Sequence, residues 1–267
     1  MTTFAGKYGP WALITGASEG TGAAFSRRAA AQGLNCILVA RREQPLRELA
    51  AELQRDQGIE TLVVTADLAA PDAAAAIIEA VGDREVGLYI ANAGADTVTA
   101  RFLDAPVEAW LGLMHLNVTT SLQLCHTLGG QMRERERGGI LLLGSGVSYG
   151  GMGGLAVYAG SKSFMLSFGE SLWSELRPYG VDVLNFMLGR TDTPALREIL
   201  ARNELPPPEG LASPDEVAEA GFNHLARGPI LNWGQADDEA GMSPVSPAAR
   251  RERMLAMEAI ARTVIKT

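Results

Sequence analysis

The stretch PWALITGASEGTG, residues 10–22, decides the fold because it passes from an apolar, β-rich run directly into a glycine-rich turn. A helical pattern follows at once, from about residue 20. Glycines let the backbone turn sharply and approach a diphosphate closely, and the first turn of a helix offers free N–H groups. Many tight turns look alike, so the motif alone is weak evidence. Its place after the first strand favours a phosphate-binding turn.

The rest of the chain alternates short β-rich runs with longer helical patterns. Strands are predicted at 10–16, 34–40, 59–66, 86–91, 139–145, 181–188 and 229–234. Helices are predicted at 20–32, 43–57, 71–81, 106–136, 156–178 and 214–226, the last capped by Ser213. Several strands are apolar almost throughout, which is typical of strands covered on both faces. The pattern predicts an α/β fold, a single Rossmann-type doubly wound parallel sheet of about seven strands with helices on both faces.

Nothing in the sequence divides the chain into separate domains. We find no internal repeat and no linker, so residues 1–267 are expected to form one domain. Two loops are expected to depart from it, the proline-rich segment 203–212, a candidate lid, and the segment 234–249. A final helix is predicted at 248–264.

Composition argues against several classes of function. The net charge is −8 without any run of Lys or Arg, whereas a nucleic-acid-binding surface needs a basic patch. Cys36 and Cys125 lie in apolar patterns and are expected to be buried free thiols, and no Cys or His cluster has metal-ligand spacing. The N-terminus lacks a secretory signal, and no apolar run approaches the ~20 residues that span a bilayer. We expect a cytoplasmic protein with no metal site.

Further motifs follow the glycine-rich turn in order. The turn has the spacing TGxxxGxG, Asn92-Ala93-Gly94 follows the fourth predicted strand, and Asn117 lies in the longest predicted helix. Ser145 ends the fifth strand, and Tyr158 and Lys162 form a YxxxK pair. In this combination the chain resembles the short-chain dehydrogenase/reductase family, and the resemblance extends to about residue 228. It implies an oxidoreductase that uses a nicotinamide cofactor.

The chemistry of Tyr158 and Lys162 agrees with that resemblance. Residues four apart on a helix project from the same face. A phenol with a pKa of about 10 is a poor base, and a neighbouring ammonium is expected to lower that pKa. Tyr158 would then give a proton to the developing alkoxide in reduction and take one in oxidation. A Tyr and a Lys at this spacing are common, so the catalytic interpretation depends on the other motifs as well.

The resemblance implies further roles. Lys162 would also hold the nicotinamide ribose, the Ser145 hydroxyl would stabilise charge on the substrate oxygen, and Asn117 would anchor a water that relays protons. The residues expected to bind the cofactor are Gly16, Ser18, Glu19, Gly20, Thr21, Gly22, Arg41, Arg42, Asp67, Leu68, Asn92, Ala93, Gly94, Tyr158, Lys162, Gly189, Thr191 and Thr193.

The end of the second strand favours NADP over NAD. Ala40 stands where many NAD-dependent relatives carry an acidic residue, so nothing there repels a 2′-phosphate. Arg41, helped by Arg42, can neutralise that phosphate. The alternative is that both arginines only solvate the start of the next helix. Glu19 argues against NADP, because some NADP-dependent relatives carry a basic residue at that position. Leu188 replaces the proline of the family's PGxxxT motif.

Segments 95–99, 146–155 and 190–212 are expected to set substrate specificity. The second carries five glycines beside apolar residues, which predicts a roomy apolar pocket for a bulky hydrophobic ketone or alcohol. The side chains expected to contribute are Val147, Tyr149, Met152, Leu155, Met187 and Leu196, with Arg190 close to the substrate.

Two other functions stay open at this point. The first is a non-catalytic NADP(H)-binding regulatory or scaffold protein, because a fold does not fix a function. The second is an epimerase or dehydratase that retains its nucleotide, although such relatives have longer C-terminal regions. A homodimer or homotetramer through helices 106–136 and 156–178 is also expected. The second helix has more apolar residues than one buried face needs, namely Phe164, Leu166, Phe168, Leu172 and Trp173.

Overall fold

The computed structural model describes residues 3–150, 153–189, 191–202, 204, 206–233, 251, 252 and 255. Seven strands in this part of the chain form one parallel sheet. They are β1 Trp11–Thr15, β2 Asn35–Ala40, β3 Thr61–Thr65, β4 Val86–Ala91, β5 Gly138–Ser145, β6 Val181–Leu188 and β7 Ile230–Trp233. Their order across the sheet is β3-β2-β1-β4-β5-β6-β7, so the direction of winding reverses between β1 and β4.

One helix precedes β1, and the other helices connect consecutive strands. The helices are α1 Phe4–Tyr8, α2 Gly20–Ala31, α3 Glu43–Gln57, α4 Ala73–Val81, α5 Val107–Met114, α6 Thr120–Glu134, α7 Ala156–Leu176, α8 Pro194–Arg202 and α9 Pro214–His224. A π-helical segment, His115–Thr119, joins α5 to α6. Short 3₁₀ turns lie at Phe102–Asp104, Gly146–Tyr149, Arg177–Tyr179 and Leu225–Arg227.

The central strands are buried on both faces because successive side chains point to opposite sides of a sheet. In β1, Ala12 and Ile14 pack with α2, α3 and α9, whereas Trp11 and Leu13 pack with α4, α6 and α7. This arrangement confirms the predicted doubly wound α/β fold. All seven strands run the same way, so their carboxyl ends meet at one edge of the sheet.

Three details differ from the sequence-based expectations or extend them. The predicted helix 106–136 is not continuous, because the π-helical segment separates α5 from α6. Helix α1 was not predicted; the Tyr8 hydroxyl donates to Asp182 Oδ2 over 2.5 Å and Phe4 stacks on Phe222. The predicted cap of α9 is confirmed, since Ser213 and Glu216 form a reciprocal capping box.

The predicted loops and the last helix are only partly covered by the described residues. In the segment 203–212, Ala212 bridges to Thr191, and residues 203 and 205 lie outside the described part. The loop 234–249 lies outside it altogether. Of the predicted helix 248–264, residues 251, 252 and 255 are described, and all three are helical.

Candidate functional site

A cavity of about 470 Å³ opens at the carboxyl edge of the sheet, where the winding reverses between β1 and β4. Ligands of open α/β sheets bind at this position. The cavity is lined by every expected cofactor-binding residue except Gly22, and by every expected catalytic residue except Asn117. Residues that are up to 177 positions apart, from Gly16 to Thr193, are thus brought to one site by the parallel arrangement of the strands.

The glycine-rich turn is tied to the end of β4 by Asn92. Asn92 Nδ2 donates to the carbonyl oxygens of Thr15 and Gly16, over 2.9 and 3.2 Å, and Thr21 Oγ1 donates to Asn92 Oδ1 over 2.7 Å. A side chain at Gly22 would collide with the Gly16 carbonyl oxygen. The turn therefore needs a residue without Cβ at this point, and Asn92 holds it against the neighbouring strand.

Charged residues lie at the outer rim of the cavity, beside the end of β2. Glu19 Oε2 and Arg42 Nη2 form an ion pair of 2.6 Å, and the same nitrogen lies 3.5 Å from Ser18 Oγ. Arg41 is exposed and also lines the cavity, and it forms no ion pair with the residues that the structure describes. Ala40, which precedes it, is 8% exposed and carries no charge.

Ser145, Tyr158 and Lys162 meet at the inner end of the same cavity. The Ser145 hydroxyl lies close enough to Tyr158 to lower the pKa of its phenol. Lys162 Nζ lies 5.9 Å from the centre of the Tyr158 ring and donates to the Leu143 carbonyl oxygen over 3.0 Å. Helix α7 presents Tyr158 and Lys162 on one face, as their spacing predicts, and β5 places Ser145 opposite them.

The pKa of Tyr158 shifts in the direction opposite to the one expected from its spacing to Lys162. Burial raises the pKa of Tyr158, the nearby Ser145 hydroxyl lowers it, and the carboxylate of Asp96 raises it. The first effect is the largest, so the phenol is held more firmly in its protonated form. Burial also lowers the pKa of Lys162 to about 8. Both side chains are thus shifted toward their neutral forms.

Asn117 lies in the π-helical segment beside the reacting group. Its Nδ2 donates to the carbonyl oxygens of Ala95 and Leu113, over 3.0 and 3.1 Å. Its Oδ1 is buried and accepts no hydrogen bond from the described residues. A Cβ on Gly94 would lie 2.7 Å from that oxygen and 2.9 Å from Lys162 Nζ. Gly94 therefore leaves a small space bordered by the Asn117 acceptor and the Lys162 ammonium group.

The motif analysis missed Asp96, although it falls within the segment 95–99. Asp96 Oδ1 accepts from the N–H groups of Val98 and Thr99, both over 3.2 Å, which fixes the carboxylate beside the site. A second cavity of about 360 Å³ adjoins this residue and is lined by Asp96, Thr99, Ala100, Arg101, Gly153, Gly154 and Leu155. No motif marks Asp96, so only its position after Asn92-Ala93-Gly94 could have indicated it.

The expected substrate-contacting side chains divide into two groups. Leu155 lines the second cavity and Leu196 the first. Met187 and Tyr149 line neither of these two cavities, because Met187 is buried in a cluster with Leu166 and Ile230, and Tyr149 packs against that cluster. Met152 and Arg190 lie outside the described residues.

Comparisons with known proteins agree with this architecture. A family model for short chain dehydrogenase matches residues 10–204. A 7beta-hydroxysteroid dehydrogenase of Collinsella aerofaciens is 32% identical over 242 residues, which cover 88% of this chain and 89% of the relative. A solved structure from work on the stereoselectivity of 7beta-hydroxysteroid dehydrogenase has a TM-score of 0.81 and 28% sequence identity. The match covers 95% of this chain and 99% of that chain. A short-chain dehydrogenase from Sphingobium yanoikuyae in complex with NADPH has a TM-score of 0.77 and 28% identity, with 97% of each chain covered.

None of the described helices is long and apolar enough to pass through a membrane.

Proposed function

Because the chain belongs to the short-chain dehydrogenase family, we propose that it is an oxidoreductase that moves a hydride between NADP(H) and a ketone or secondary alcohol. The observation that carries the proposal is that Ser145, Tyr158 and the buried Lys162 line the same cavity as the glycine-rich turn. This cavity offers a phosphate-binding turn at one end and a proton donor at the other, which is what a reductase of this kind requires.

The described residues fit a dinucleotide. Gly16 and Gly22 keep the turn free of side chains that would collide with its neighbours, and α2 begins at Gly20 with free N–H groups. At the inner end, Lys162 Nζ and the unpartnered Asn117 Oδ1 border the space beside Gly94. Ribose hydroxyls and a bound water are groups that such a donor and acceptor satisfy. When bound, NADPH supplies the hydride for the reduction.

Tyr158 gives the proton in this proposal. Its raised pKa keeps the phenol protonated near neutral pH, so the group is ready to donate to the carbonyl oxygen of a ketone as that oxygen gains charge. Ser145 donates a second hydrogen bond to the same oxygen. Lys162 and Asn117 hold a path by which Tyr158 regains its proton, through the space beside Gly94. In the oxidation of an alcohol the proton moves in the opposite direction.

Arg41 supports NADP over NAD as the cofactor. Its guanidinium group is not paired with any described carboxylate, and a forked guanidinium matches the geometry of a phosphate. Ala40 adds no negative charge beside it. The similarity to a relative crystallised with NADPH supports the same assignment.

A bulky hydrophobic ketone or alcohol, with a steroid as the first candidate, is the proposed substrate. Asp96, whose carboxylate acts on Tyr158, also lines the second cavity, which gives room for a molecule larger than a simple ketone. Leu196 in the first cavity and Leu155 in the second provide apolar contact. The similarity to proteins named 7beta-hydroxysteroid dehydrogenase supports this class.

The test is to follow nicotinamide absorbance with a panel of ketosteroids, hydroxysteroids and bulky aryl ketones. Wild-type protein should oxidise NADPH with at least one ketone. Tyr158→Phe should lose about 100-fold or more of kcat, which is typical for removal of a general acid, while the Kd for NADPH stays within about twofold.

Tyr149→Phe is the matched control, since the Tyr149 hydroxyl donates to Asn232 and is not at the reacting centre. It should keep most of the turnover. If Tyr158→Phe retained more than a few per cent of the rate, Tyr158 would not be the proton donor. NADPH binding without turnover of any compound in the panel would favour a regulatory or scaffold protein.

A further inference from the structure

Glu19 occupies an unusual position for an acidic residue. It directly precedes α2 as the capping residue, where the side chain of Ser, Thr, Asp or Asn normally accepts a hydrogen bond from the helix N-terminus. The Glu19 side chain makes no such bond, and its carboxylate is paired with Arg42 across the rim of the cavity. The N–H groups at the start of α2 are thus left free. Of the two arginines at the rim of the cavity, Arg41 and Arg42, the second is neutralised by this pair.

The two rim arginines therefore differ in charge balance. Arg41 has no carboxylate partner among the described residues, whereas Arg42 is shared between Glu19 and Ser18. Both guanidinium groups and the Glu19 carboxylate line the same cavity. A group with two negative charges that binds at this rim will compete with Glu19 for Arg42.

The Glu19–Arg42 pair can yield to such a competitor. Its side chains are 46% and 56% exposed, so the pair is screened by water and salt and stabilises the protein weakly. A phosphate bound by two parallel guanidinium hydrogen bonds interacts more strongly than an exposed carboxylate. Exchange of the carboxylate for the phosphate on Arg42 therefore needs little free energy. That free energy is nevertheless subtracted from the binding of every 2′-phosphorylated nucleotide.

We propose that Glu19 is a specificity-determining residue of the cofactor site, where its carboxylate competes with the 2′-phosphate of NADP(H) for Arg42. Glu19 thereby lowers the affinity for NADP(H) and reduces the ratio of the affinities for NADP and NAD. This inference rests on the proposed function, in that it assumes a 2′-phosphate at the rim. The opposite role, in which Glu19 holds Arg42 in place for the phosphate, predicts the opposite sign.

Calorimetric titration with adenosine 2′,5′-bisphosphate and with adenosine 5′-monophosphate separates the two roles. These probes differ only in the 2′-phosphate and need no nicotinamide chemistry. Glu19→Gln should bind the bisphosphate about three- to fivefold more tightly than wild type, because an exposed ion pair contributes up to about 1 kcal/mol. Binding of the monophosphate should stay within about twofold.

Three further variants make the test specific. Arg41→Ala calibrates it and should weaken bisphosphate binding about thirty- to hundredfold, as expected for the loss of a bidentate phosphate contact. In an Arg42→Ala background, Glu19→Gln should give no gain, because the arginine that Glu19 pairs with is absent. Glu43→Gln is the matched control, since Glu43 pairs with Arg47 on α3 and does not line the cavity. It should leave both affinities unchanged.

Each result decides between the ideas. Unchanged or weaker bisphosphate binding by Glu19→Gln overturns the inference, and the weaker result assigns Glu19 a positioning role. A gain in bisphosphate affinity that persists without Arg42, or that Glu43→Gln reproduces, indicates general electrostatic repulsion of the phosphate by nearby carboxylates. Either result also overturns the inference. Equal binding of the two probes by wild type refutes the proposed NADP preference itself, whereas a clear wild-type preference that Glu19→Gln leaves unchanged refutes only the role of Glu19.

Discussion

Lys162 is 5% exposed although it carries an ammonium group, and its Nζ donates to a backbone carbonyl oxygen from β5. A buried amine of this kind is costly, and the cost appears as a pKa of about 8. Tyr158, four residues earlier, shows the matching effect, because burial disfavours its anion. The sequence predicts that these two groups lie together. It does not predict their protonation, since four-residue spacing carries no information about solvent.

Asp96 gives a direct test of the electrostatics at Tyr158. Its carboxylate raises the pKa of Tyr158, so Asp96→Asn should lower that pKa. Reduction needs the protonated phenol and is lost as pH rises through this pKa, so the alkaline limb of kcat/KM for ketone reduction should move to lower pH. Asparagine keeps the Oδ1 acceptor for the Val98 and Thr99 N–H groups, which preserves the loop.

The control is Asp104→Asn, which removes an exposed carboxylate that does not line either cavity. Its pH profile should match that of wild type. An alkaline limb that stays in place or moves upward in Asp96→Asn would show that Asp96 does not act on the proton donor. In the oxidation of an alcohol, which needs the phenolate, the rise in rate should begin at lower pH in the Asp96 variant.

Among the elements, the interrupted helix shows where prediction from the sequence stops. Apolar periodicity continues through residues 106–136 and gives no sign of the π-helical segment at His115–Thr119. The wider turn coincides with the hydrogen bonds from Asn117 to Ala95 and Leu113, and the first of these joins the π-helical segment to the loop after β4. All seven strands and the motif residues on them follow from local pattern. Helix α1 does not, because it is held by residues as far away as Asp182 and Phe222.

Gly94→Ala tests whether the loop after β4 and α7 must approach this closely. The new methyl group would lie within 3 Å of Asn117 Oδ1 and of Lys162 Nζ, so one of them has to move. A displacement of about 1 Å at a reacting centre costs on the order of 100-fold in rate, and we expect kcat to fall by about that factor. Turnover and thermal unfolding would be measured together.

Gly130→Ala provides the comparison, because no atom lies within 4 Å of its added Cβ and it sits inside α6. This change should leave turnover intact and raise the free energy of unfolding by about 0.5–1 kcal/mol, the usual gain for alanine over glycine in a helix. Full activity in Gly94→Ala would show that the contact tolerates a methyl group and that the loop is not held as the distances suggest.

For the whole molecule, the exposed apolar surface bears on assembly. Leu103 is 89% exposed, Val107 and Leu111 are each 57% exposed, and Phe164 on α7 is 44% exposed. Leu166 and Trp173, which were expected to contribute, are instead buried within the chain. We propose a homodimer or homotetramer formed through α5 and α7, since single chains rarely leave so many large apolar side chains in water. The single-domain organisation stays a prediction.

Light scattering at micromolar concentration should give at least twice the mass of the chain. Leu111→Glu combined with Phe164→Glu should shift the protein toward monomer, because burying two carboxylates in an apolar interface is unfavourable. Ala51→Glu, on the exposed side of α3 at the opposite face of the sheet, adds charge elsewhere and should not change the mass. A wild type that is monomeric throughout would contradict the proposed assembly.

The strand order also bears on how the chain reaches its native state. β1 pairs with β2 after a short helical connection, but its other neighbour, β4, begins only at Val86. The hydrogen bond between Thr21 and Asn92 spans 71 residues, and pairings of such long sequence separation form slowly because a large loop must first close. A nascent chain that has emerged only as far as α4 contains the glycine-rich turn but not Asn92, which holds that turn. Under the proposed function, we expect a nucleotide to bind only after the two halves of the sheet have joined. It would then stabilise the completed fold and not the earlier, partly folded states.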